Sequence, residues 1–340
     1  MRPFSLGLSD SLYAISNDGL TFAYQTISRD ADMIVLQWDD GVPWPEALAG
    51  APYASGFQAE IARKRAGIPQ GHQVYVALNA ISFIRNGLAL YKSDSGNRPL
   101  PDPWQRLSFD HPLVVEAFVN HCERMIATLR PTYFAYALEA NMLLYFNPDS
   151  FPAFLRMAAA VYPRLKASHP SLPIFVTLST DTFHTGGPSQ PEAVRQLLQY
   201  SDVIAATAYP FNDEHDPRLL RPDYYAALRN VATQKPFAVA ETCWPAENVM
   251  APYPTPIPAS DETQRLYLER LLSDADALRA RFVVWFYARD YDDIWNNNLS
   301  LQPGTEILLA WKDCGLYAGD GRARPSLTLW RQWLARLQAN

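Results

Sequence analysis

Cysteine is scarce in this sequence, and it has neither a run of basic residues nor a long apolar run. Its 340 residues include three cysteines, Cys122, Cys243 and Cys314, without the spacing of a metal site. An odd count of this kind argues against a disulfide framework and predicts buried free thiols. No apolar run approaches the ~20 residues that span a bilayer, so no membrane span is expected. The formal net charge of −6, without a cluster of Lys or Arg, argues against a nucleic-acid partner.

The N-terminal residues, MRPFSLGLSD, lack the apolar segment that directs secretion. We therefore expect a cytoplasmic protein, or a secreted or periplasmic one if a signal has been removed. Aromatic residues, by contrast, make up 13% of the chain, with nine Trp and 18 Tyr. Many of these must be core residues, and the surplus suits stacking on sugar rings or bases.

Short apolar segments alternate with amphipathic segments along the whole chain. Eight of the apolar segments predict β-strands: Phe4–Leu8, Met33–Gln37, Val74–Leu78, Tyr133–Leu138, Ile174–Leu178, Val203–Thr207, Phe237–Ala240 and Phe282–Phe286. Strands that alternate with helices predict βα units and a parallel sheet. Eight such units favour an α/β fold with a single (β/α)8 TIM barrel over residues 1–340. A doubly wound open sheet is the alternative, but no Gly-rich dinucleotide motif follows the first strand.

Helical periodicity and helix-start residues mark the segments between these strands. The predicted helices include 55–67, 112–130, 151–168, 191–200, 223–233, 261–278 and 325–338. Pro112, Pro191 and Asp223 lie at or near first turns, and Ser260 precedes two acidic residues as a capping residue would.

Several types of barrel enzyme are excluded by what the strand ends lack. Active sites of such barrels lie at the carboxyl ends of the strands. No predicted strand ends on lysine, which argues against a Schiff-base aldolase. The six histidines form no His-x-His pair on a strand, and no Gly-rich loop follows the last two strands to hold a phosphate. We therefore expect neither a metal nor any other cofactor.

Two glutamates, Glu139 and Glu241, end the fourth and seventh predicted strands. Strict alternation along a strand would place Glu139 on the same face as Ala135, and Glu241 on the same face as Phe237 and Val239. Glycoside hydrolysis uses two carboxyl groups that flank the scissile bond, one protonated and one ionised. The alternative is that each glutamate is a strand-end carboxylate held by an arginine or a backbone amide.

Four segments resemble clan A of the glycoside hydrolases, TIM-barrel enzymes with catalytic glutamates on strands 4 and 7. AVAETCWP (238–245) resembles the nucleophile strand of endo-β-galactanases, plant-type β-1,3-glucanases and cellulase-like families. DVIAATAYPF (202–211) and VVWFYARD (283–290) resemble strands 6 and 8 of the clan, and residues 311–330 resemble its closing segment.

The resemblance implies a role for one residue at each of four strand ends. It implies that Glu139 is the acid/base and Glu241 the nucleophile. It further implies that Tyr209 hydrogen-bonds the nucleophile and that Trp285 forms a platform for a sugar ring.

Two positions depart from the clan pattern. Clan members usually have Asn immediately before the acid/base, where this chain has Leu138. Asn79 and Asn141 are candidates to make the sugar contact of that residue. Many members also have an Arg at the end of strand 2, where this chain has Trp38 and Asp39.

Other polar and aromatic residues at the strand ends are candidates for sugar contacts. Asp39 has the chemistry to bind a sugar hydroxyl, with loop anchoring as the alternative. Asp181 and His184 precede the sequence TGGP, and either sugar binding or loop structure accounts for them. Trp38 and Trp244 offer large apolar faces for stacking.

The sequence as a whole predicts a retaining β-glycosidase with a carbohydrate substrate. It would cleave β-glycosidic bonds in a polysaccharide or oligosaccharide by a double displacement on two glutamates. Long loops at 87–112 and 245–260 would form the walls of a cleft, which favours internal cleavage of a polysaccharide. A barrel that binds carbohydrate without cleaving it, and a transglycosylase that uses the same residues, are the alternatives.

Overall fold

The computed structural model describes residues 1–94, 96–302 and 304–338. Its central feature is a closed barrel of eight parallel strands with surrounding helices, which confirms the predicted single (β/α)8 TIM barrel. The barrel strands are β1 Ser5–Ser9, β2 Met33–Trp38, β3 Gln73–Leu78, β6 Tyr133–Ala137, β7 Ile174–Ser179, β8 Ile204–Ala208, β9 Phe237–Thr242 and β10 Phe282–Trp285. Between β3 and β6 lies an antiparallel hairpin of β4 (Tyr91–Ser93) and β5 (Gly96–Arg98).

Helices follow most of the barrel strands and cover the outside of the barrel. The described α-helices are α1 Asn17–Asp30, α2 Trp44–Ala49, α3 Ser55–Ala66, α4 Pro112–Leu129, α5 Met142–Phe146, α6 Phe151–Ser168, α7 Thr180–Thr185, α8 Gln190–Leu197, α9 Tyr224–Arg229, α10 Asp261–Ala277, α11 Asp292–Asn297 and α12 Pro325–Leu334. None of these described helices has the length and apolar character needed to cross a membrane.

The helix starts follow the residues that favour them. Pro112 is the first residue of α4, where its fixed φ fits and its missing N–H costs nothing. Ser260 caps α10: its side chain accepts a hydrogen bond from the Thr263 amide, and the Thr263 hydroxyl accepts one from the Ser260 amide. Both helix starts were predicted from the sequence.

The inside of the barrel is filled by alternate residues of the strands. The rings of Tyr75, Phe175 and Phe282 pack against each other with centroids 5.5 to 6.2 Å apart. Alanines occupy several other inward positions, where larger side chains would fill the barrel: Ala77, Ala135, Ala205, Ala238 and Ala240. The interior of the barrel thus combines packed aromatic rings with small alanine side chains.

Strict alternation does not bring Glu241 to the mouth of the barrel. Ala238 and Ala240 face the inside of the barrel, whereas Phe237 and Val239 pack in the outer core against the helices. The pairing of β9 with β8 shifts by one residue just before Glu241, as in a β-bulge. The extra residue lets Glu241 join the same face as Ala240, so the predicted face-sharing with Phe237 and Val239 is wrong.

An irregular backbone also carries Glu139. The pairing of β6 with β7 shifts between Ala135 and Ala137, and Ala137 packs in the outer core while Leu138 faces inward. Glu139 itself has a left-handed backbone with φ of 49°, which is uncommon for a residue other than glycine. The chain thus turns at Glu139 after β6 has ended, and simple alternation from Ala135 does not describe its position.

Candidate active site

A pocket of about 530 Å³ lies at the carboxyl ends of the barrel strands, where TIM-barrel enzymes have their active sites. Residues at or just beyond the strand ends line it: Gln37, Asp39, Glu139, Ser179, Asp181, Tyr209, Glu241, Phe286 and Tyr287. Residues further along the loops and short helices also line it: Phe83, Ile84, Arg85, Met142, Phe146, Thr182, Thr185, Asn212, Ile307, Leu308 and Trp311. Both glutamates therefore meet in one pocket.

A second hollow, of about 590 Å³, lies on the outside of the barrel between α3 and α4. Its described lining includes Arg65 and Arg124 but no carboxyl, imidazole or thiol group. It lacks the groups that general acid–base or nucleophilic catalysis requires, so we place the candidate chemistry in the barrel-mouth pocket.

Glu139 is fixed by contacts to three neighbouring elements. Its backbone amide donates to Thr177 Oγ1 on β7 at 2.8 Å. Its carboxylate accepts from Thr207 Oγ1 on β8 at 2.9 Å and from Arg85 Nη2 at 2.9 Å. The side chain is 16% exposed, so it is accessible from the pocket although most of it is covered.

Glu241 lies on the other side of Thr207. Thr207 pairs with Glu241 in the β8–β9 ladder, while the Thr207 hydroxyl donates to Glu139. Glu241 therefore lies on the strand next to the threonine that bonds Glu139, about 4.8 Å away along the sheet, and both carboxyl groups line the pocket. The hydroxyl of Tyr209 donates to Glu241 Oε1, which is the contact that the resemblance implied for this tyrosine.

Burial and the nearby negative charge of Glu139 raise the pKa of Glu241 to about 8, although the Tyr209 hydroxyl opposes the shift. Glu139, meanwhile, forms an ion pair with Arg85. Near neutral pH Glu241 is therefore protonated in the unliganded protein. A retaining glycosidase needs one protonated and one ionised carboxyl group.

Arg85 bridges the carboxylates of Asp39, which follows β2, and Glu139, which follows β6. Its Nη1 and Nη2 atoms donate to both oxygens of Asp39, at 2.9 and 2.7 Å, and Nη2 also donates to Glu139. Asn79 donates to Asp39 at 2.6 Å. Burial raises the pKa of Asp39, and the Arg85 charge opposes that rise. Of the described residues that line the pocket, Arg85 alone is basic, against four carboxyl groups.

Asp181 lines the pocket but is held by the protein on both oxygens. It accepts from the backbone amide of Tyr209 at 2.7 Å and from the hydroxyl of Tyr224. Burial raises its pKa to about 7. These contacts orient the backbone of Tyr209, and through it the hydroxyl that contacts Glu241.

The structure does not support Trp285 and Trp244 as sugar platforms. Both side chains are fully buried, and neither lines the pocket. Trp285 points outward from β10, where its Nε1 donates to the Cys314 carbonyl at 2.9 Å. Trp244 packs against the ring of Tyr267, with centroids 5.0 Å apart. The aromatic residues exposed to the pocket after β10 are instead Phe286 and Tyr287.

Four other predicted contact residues also lie outside the pocket lining. Asn79 Oδ1 accepts from the Leu138 amide, and buried Asn141 is bonded to the Ser179 backbone, so both amides serve the protein. His184 bonds the Tyr224 carbonyl and Arg221.

Trp38 is the fourth of these residues. It donates to Glu60 at 2.8 Å and borders a separate polar chamber of about 280 Å³ beside the pocket.

Some residues of the pocket were not predicted from the sequence. Arg85 is one of them, because nothing in a loop sequence indicates which residue folds back over the barrel. Phe286, by contrast, could have been found from the pattern. Phe282 and Val284 face inward, so Phe286 follows on the same face while Trp285 points outward.

The two long loops predicted as cleft walls do not line the pocket. No described residue of 87–112 or of 245–260 belongs to its lining, contrary to the expectation of two loop walls. The shorter segment between β3 and the first of these loops supplies Phe83, Ile84 and Arg85. The segment after β10 supplies Ile307, Leu308 and Trp311.

The fold is that of TIM-barrel glycoside hydrolases of known structure. No protein-family model and no curated protein sequence matches the chain. It is similar to the GH53 catalytic domain from Ignisphaera aggregans over 97% of this chain and 96% of that one, with 19% identity and a TM-score of 0.57.

Two further glycosidase structures have the same fold. The GH5_18 protein from Bifidobacterium longum subsp. longum has 15% identity and a TM-score of 0.65 over 99% of this chain and 81% of its own. The exo-β-1,4-mannosidase from Opitutaceae bacterium strain TAV5 has 14% identity and a TM-score of 0.64 over 97% of this chain and 59% of its own. At such identities the similarity concerns the fold.

Proposed function

We propose that the protein is a retaining β-glycosidase with Glu139 and Glu241 as its catalytic pair. The observation that carries this proposal is the meeting of the two carboxyl groups on either side of Thr207, in a pocket at the carboxyl end of the barrel. The fold shared with glycoside hydrolases supports it. Tyr209 would hold Glu241 in the orientation for attack.

In the proposed reaction Glu241 attacks the anomeric carbon while Glu139 protonates the glycosidic oxygen. The bond between the anomeric carbon and the leaving oxygen breaks, and a glycosyl ester forms on Glu241. Glu139 then takes a proton from water, whose oxygen displaces the Glu241 carboxylate from the sugar. The two inversions leave the β configuration unchanged.

In the proposed reaction, substrate binding must also change the contacts of Arg85. In the unliganded protein the proton lies on Glu241, and Glu139 is paired with Arg85. The proposed reaction needs the proton on Glu139. Substrate must therefore separate Arg85 from Glu139, while the Asp39 carboxylate keeps the guanidinium paired.

The substrate is proposed to contain a β-glycosidic bond, as in an oligosaccharide, a polysaccharide or a smaller β-glycoside, and the acceptor is proposed to be water. Internal cleavage was expected from two long loops, but neither loop lines the pocket. Product lengths distinguish the possibilities: shorter internal fragments support internal hydrolysis, terminal sugars support removal from an end, and products longer than the substrate support transglycosylation.

The test is activity of the wild-type protein on β-linked galactans, mannans, glucans and xylans and on the corresponding 4-nitrophenyl β-glycosides. Glu241→Gln and Glu139→Gln should each lower kcat/KM by at least about a thousandfold, because each removes a group that reacts. Glu192→Gln, which changes an exposed carboxylate of α8, is the matched control and should retain full activity.

A different outcome would favour the barrel that binds without cleaving. In that case the wild-type protein would bind one of these carbohydrates and release no reducing ends from any of them. Activity that survives in both glutamine variants would contradict the proposed catalytic pair.

A further inference from the structure

One wall of the pocket consists of apolar side chains that are open to solvent. Phe83 is 56% exposed, Ile84 63% and Phe146 52%, and Met142 lines the pocket beside them. We call these four residues the apolar wall. Large apolar side chains that stay exposed together at a pocket suggest a ligand that covers them.

The apolar wall belongs to the Glu139 side of the pocket. Met142 and Phe146 lie on α5, which begins three residues after Glu139. Phe83 and Ile84 directly precede Arg85, which is bonded to Glu139.

A direct hydrogen bond joins the two parts of the wall. Asn147, at the end of α5, donates to the Asn86 carbonyl at 2.6 Å. The loop after β3 and α5 therefore form one surface next to Glu139.

Polar groups adjoin the apolar wall in a neighbouring chamber. This chamber of about 280 Å³ shares Gln37, Asp39, Phe83 and Phe286 with the pocket, so it begins where the wall ends. Its other lining residues include Ser9, Asp10 and Asp40. Hydroxyl, amide and carboxylate groups of this kind bind sugar hydroxyls, whereas the apolar wall offers them no side-chain partner.

We propose that the apolar wall is a binding subsite for an apolar aglycone, so that the substrate is a β-glycoside of an aryl or alkyl alcohol. This inference rests on the proposed function, because the acid/base carboxyl lies on the side of the leaving group. Glu139 would donate its proton to the oxygen of that alcohol as the bond to the anomeric carbon breaks. Water supplies the hydroxyl of the freed sugar.

Burial of the leaving group is the physical basis of the preference. An aryl or alkyl group would cover Ile84 and Met142 and would gain hydrophobic free energy in proportion to the area removed from water. A sugar as leaving group would gain less from Ile84 and Met142, because its hydroxyl groups find no side-chain partner there. The wall therefore favours a glycoside with an apolar end.

The test is binding of matched β-glycosides to the Glu241→Gln variant by calorimetry. The probes are the methyl, hexyl and phenyl β-glycosides of glucose, galactose, mannose and xylose. For at least one sugar, the hexyl or phenyl compound should bind at least about tenfold more tightly than the methyl compound, because its extra carbons become buried. The hexyl and phenyl arms distinguish an alkyl from an aryl preference.

Two variants in the same background test whether the wall causes the preference. Ile84→Asn and Phe146→Asn should each remove most of the gain of the longer aglycone while binding of the methyl glycoside stays unchanged. Leu219→Asn is the control, since Leu219 is 67% exposed and does not line the pocket.

Several results would overturn the aglycone subsite. These are equal affinity for methyl, hexyl and phenyl compounds with every sugar, a gain that persists in both wall variants, or no binding of any hexyl or phenyl compound. Failure of the proposed function would be seen separately, as the absence of hydrolysis of all these glycosides by the wild-type protein.

Discussion

The hydroxyl of Tyr209, which follows β8, donates a hydrogen bond directly to Glu241. Tyr209→Phe removes this hydrogen bond and leaves the ring in place. A hydrogen bond to a charged group contributes about 1.5–3 kcal/mol. We therefore expect kcat/KM to fall by about 10- to 100-fold, and the pKa of Glu241 to rise further, since the Tyr209 hydroxyl lowers it.

Tyr162→Phe is the control for this change. Tyr162 also donates its hydroxyl to a carboxylate, that of Asp202, but neither residue lines the pocket. Steady-state kinetics should show little change for Tyr162→Phe. Equal losses in the two variants would mean that the Tyr209 hydroxyl acts on stability alone.

The raised pKa of Glu241 predicts how activity depends on pH. The pKa of Glu241 is raised to about 8, so the proton is present below that pH and is lost above it. We expect kcat/KM to fall as the pH rises through about 8. A profile measured from pH 4 to pH 10 checks this, and a flat profile from pH 7 to pH 10 would contradict it.

Arg85 should influence the pH at which kcat/KM falls on the basic side of the profile. Arg85→Met removes the positive charge beside Glu139, and the pair should then keep its proton to a higher pH. The basic limb should therefore move upward in Arg85→Met and move less in Arg85→Lys, which keeps the charge. A shift to lower pH in Arg85→Met would contradict the assigned electrostatics.

The residues that sequence could identify are those next to a recognisable strand end. Glu139, Glu241 and Tyr209 each follow a strand whose apolar residues define it, and all three line the pocket. Trp285 was misassigned although it also ends a strand, because apolar residues on both faces of β10 hide which face is inward.

The end of β6 shows what a local departure from the clan pattern means for the structure. Leu138 is 2% exposed and packs inside the barrel, and its amide donates to Asn79 Oδ1. Leu138→Asn, which restores the usual residue of the clan, would bury an amide among apolar side chains. We expect it to lower the free energy of unfolding by about 2–4 kcal/mol, as measured by urea denaturation.

Leu138→Met is the matched control and should cost less than about 1.5 kcal/mol, because it conserves volume and polarity. Leu138→Asn should also leave activity no higher than that of the wild type. A stable Leu138→Asn variant with raised kcat/KM would show that the side chain reaches the pocket and replaces the missing contact.

The irregularities of β6 and β9 were beyond the sequence pattern. A β-bulge adds one residue to a strand without a characteristic composition, and Ala240 and Glu241 read like any continuation of β9. The positions of the barrel strands were predicted to within two residues at each end. The predicted alternation of inward and outward side chains was wrong at the ends of β6 and β9.

Contacts of Asp30 join the first helix of the barrel to the last helix of the described chain. Asp30, at the end of α1, is 1% exposed and accepts hydrogen bonds from Arg331 of α12 and from Arg29 and Tyr317. Trp330 also donates to the Asp30 carbonyl at 2.7 Å. Asp30→Asn should lower the free energy of unfolding at pH 7 by about 2 kcal/mol, because it removes the charge that pairs two arginines.

The stabilisation by the Asp30 carboxylate should decrease as the pH falls. Burial alone would raise the pKa of Asp30, but the hydrogen bonds from its partners outweigh it and lower the pKa. The stabilisation is therefore present above the unfolded value of about 3.9 and is lost as the pH falls through the lower folded value. The gap in unfolding free energy between the wild type and Asp30→Asn should be constant from pH 7 to pH 5 and should narrow below pH 4.

Glu192→Gln, in an exposed ion pair with Arg195, is the control and should change stability by less than about 0.5 kcal/mol. A gap for Asp30→Asn that widens in acid would contradict the assigned direction of the pKa shift.

The fold could be predicted because the alternation of apolar strand and amphipathic helix is repeated in eight βα units. An error in one element does not change the predicted fold. The loops above the barrel carry no such repetition. Arg85 and the segment that closes the pocket through Trp311 reach it from loops, and only the three-dimensional structure shows where those loops return. Sequence therefore predicted the carboxylates on the strands more successfully than the walls around them.

The most direct test of the assigned catalytic pair is the configuration of the product formed with azide as an external nucleophile. With a 4-nitrophenyl β-glycoside that the wild type cleaves, Glu241→Ala should yield the α-glycosyl azide, because one displacement inverts the anomeric carbon. Glu139→Ala should yield the β-glycosyl azide, because the ester on Glu241 forms first and azide then opens it. An α-azide from Glu139→Ala and a β-azide from Glu241→Ala would exchange the two roles, and no azide product from either variant would contradict the retaining mechanism.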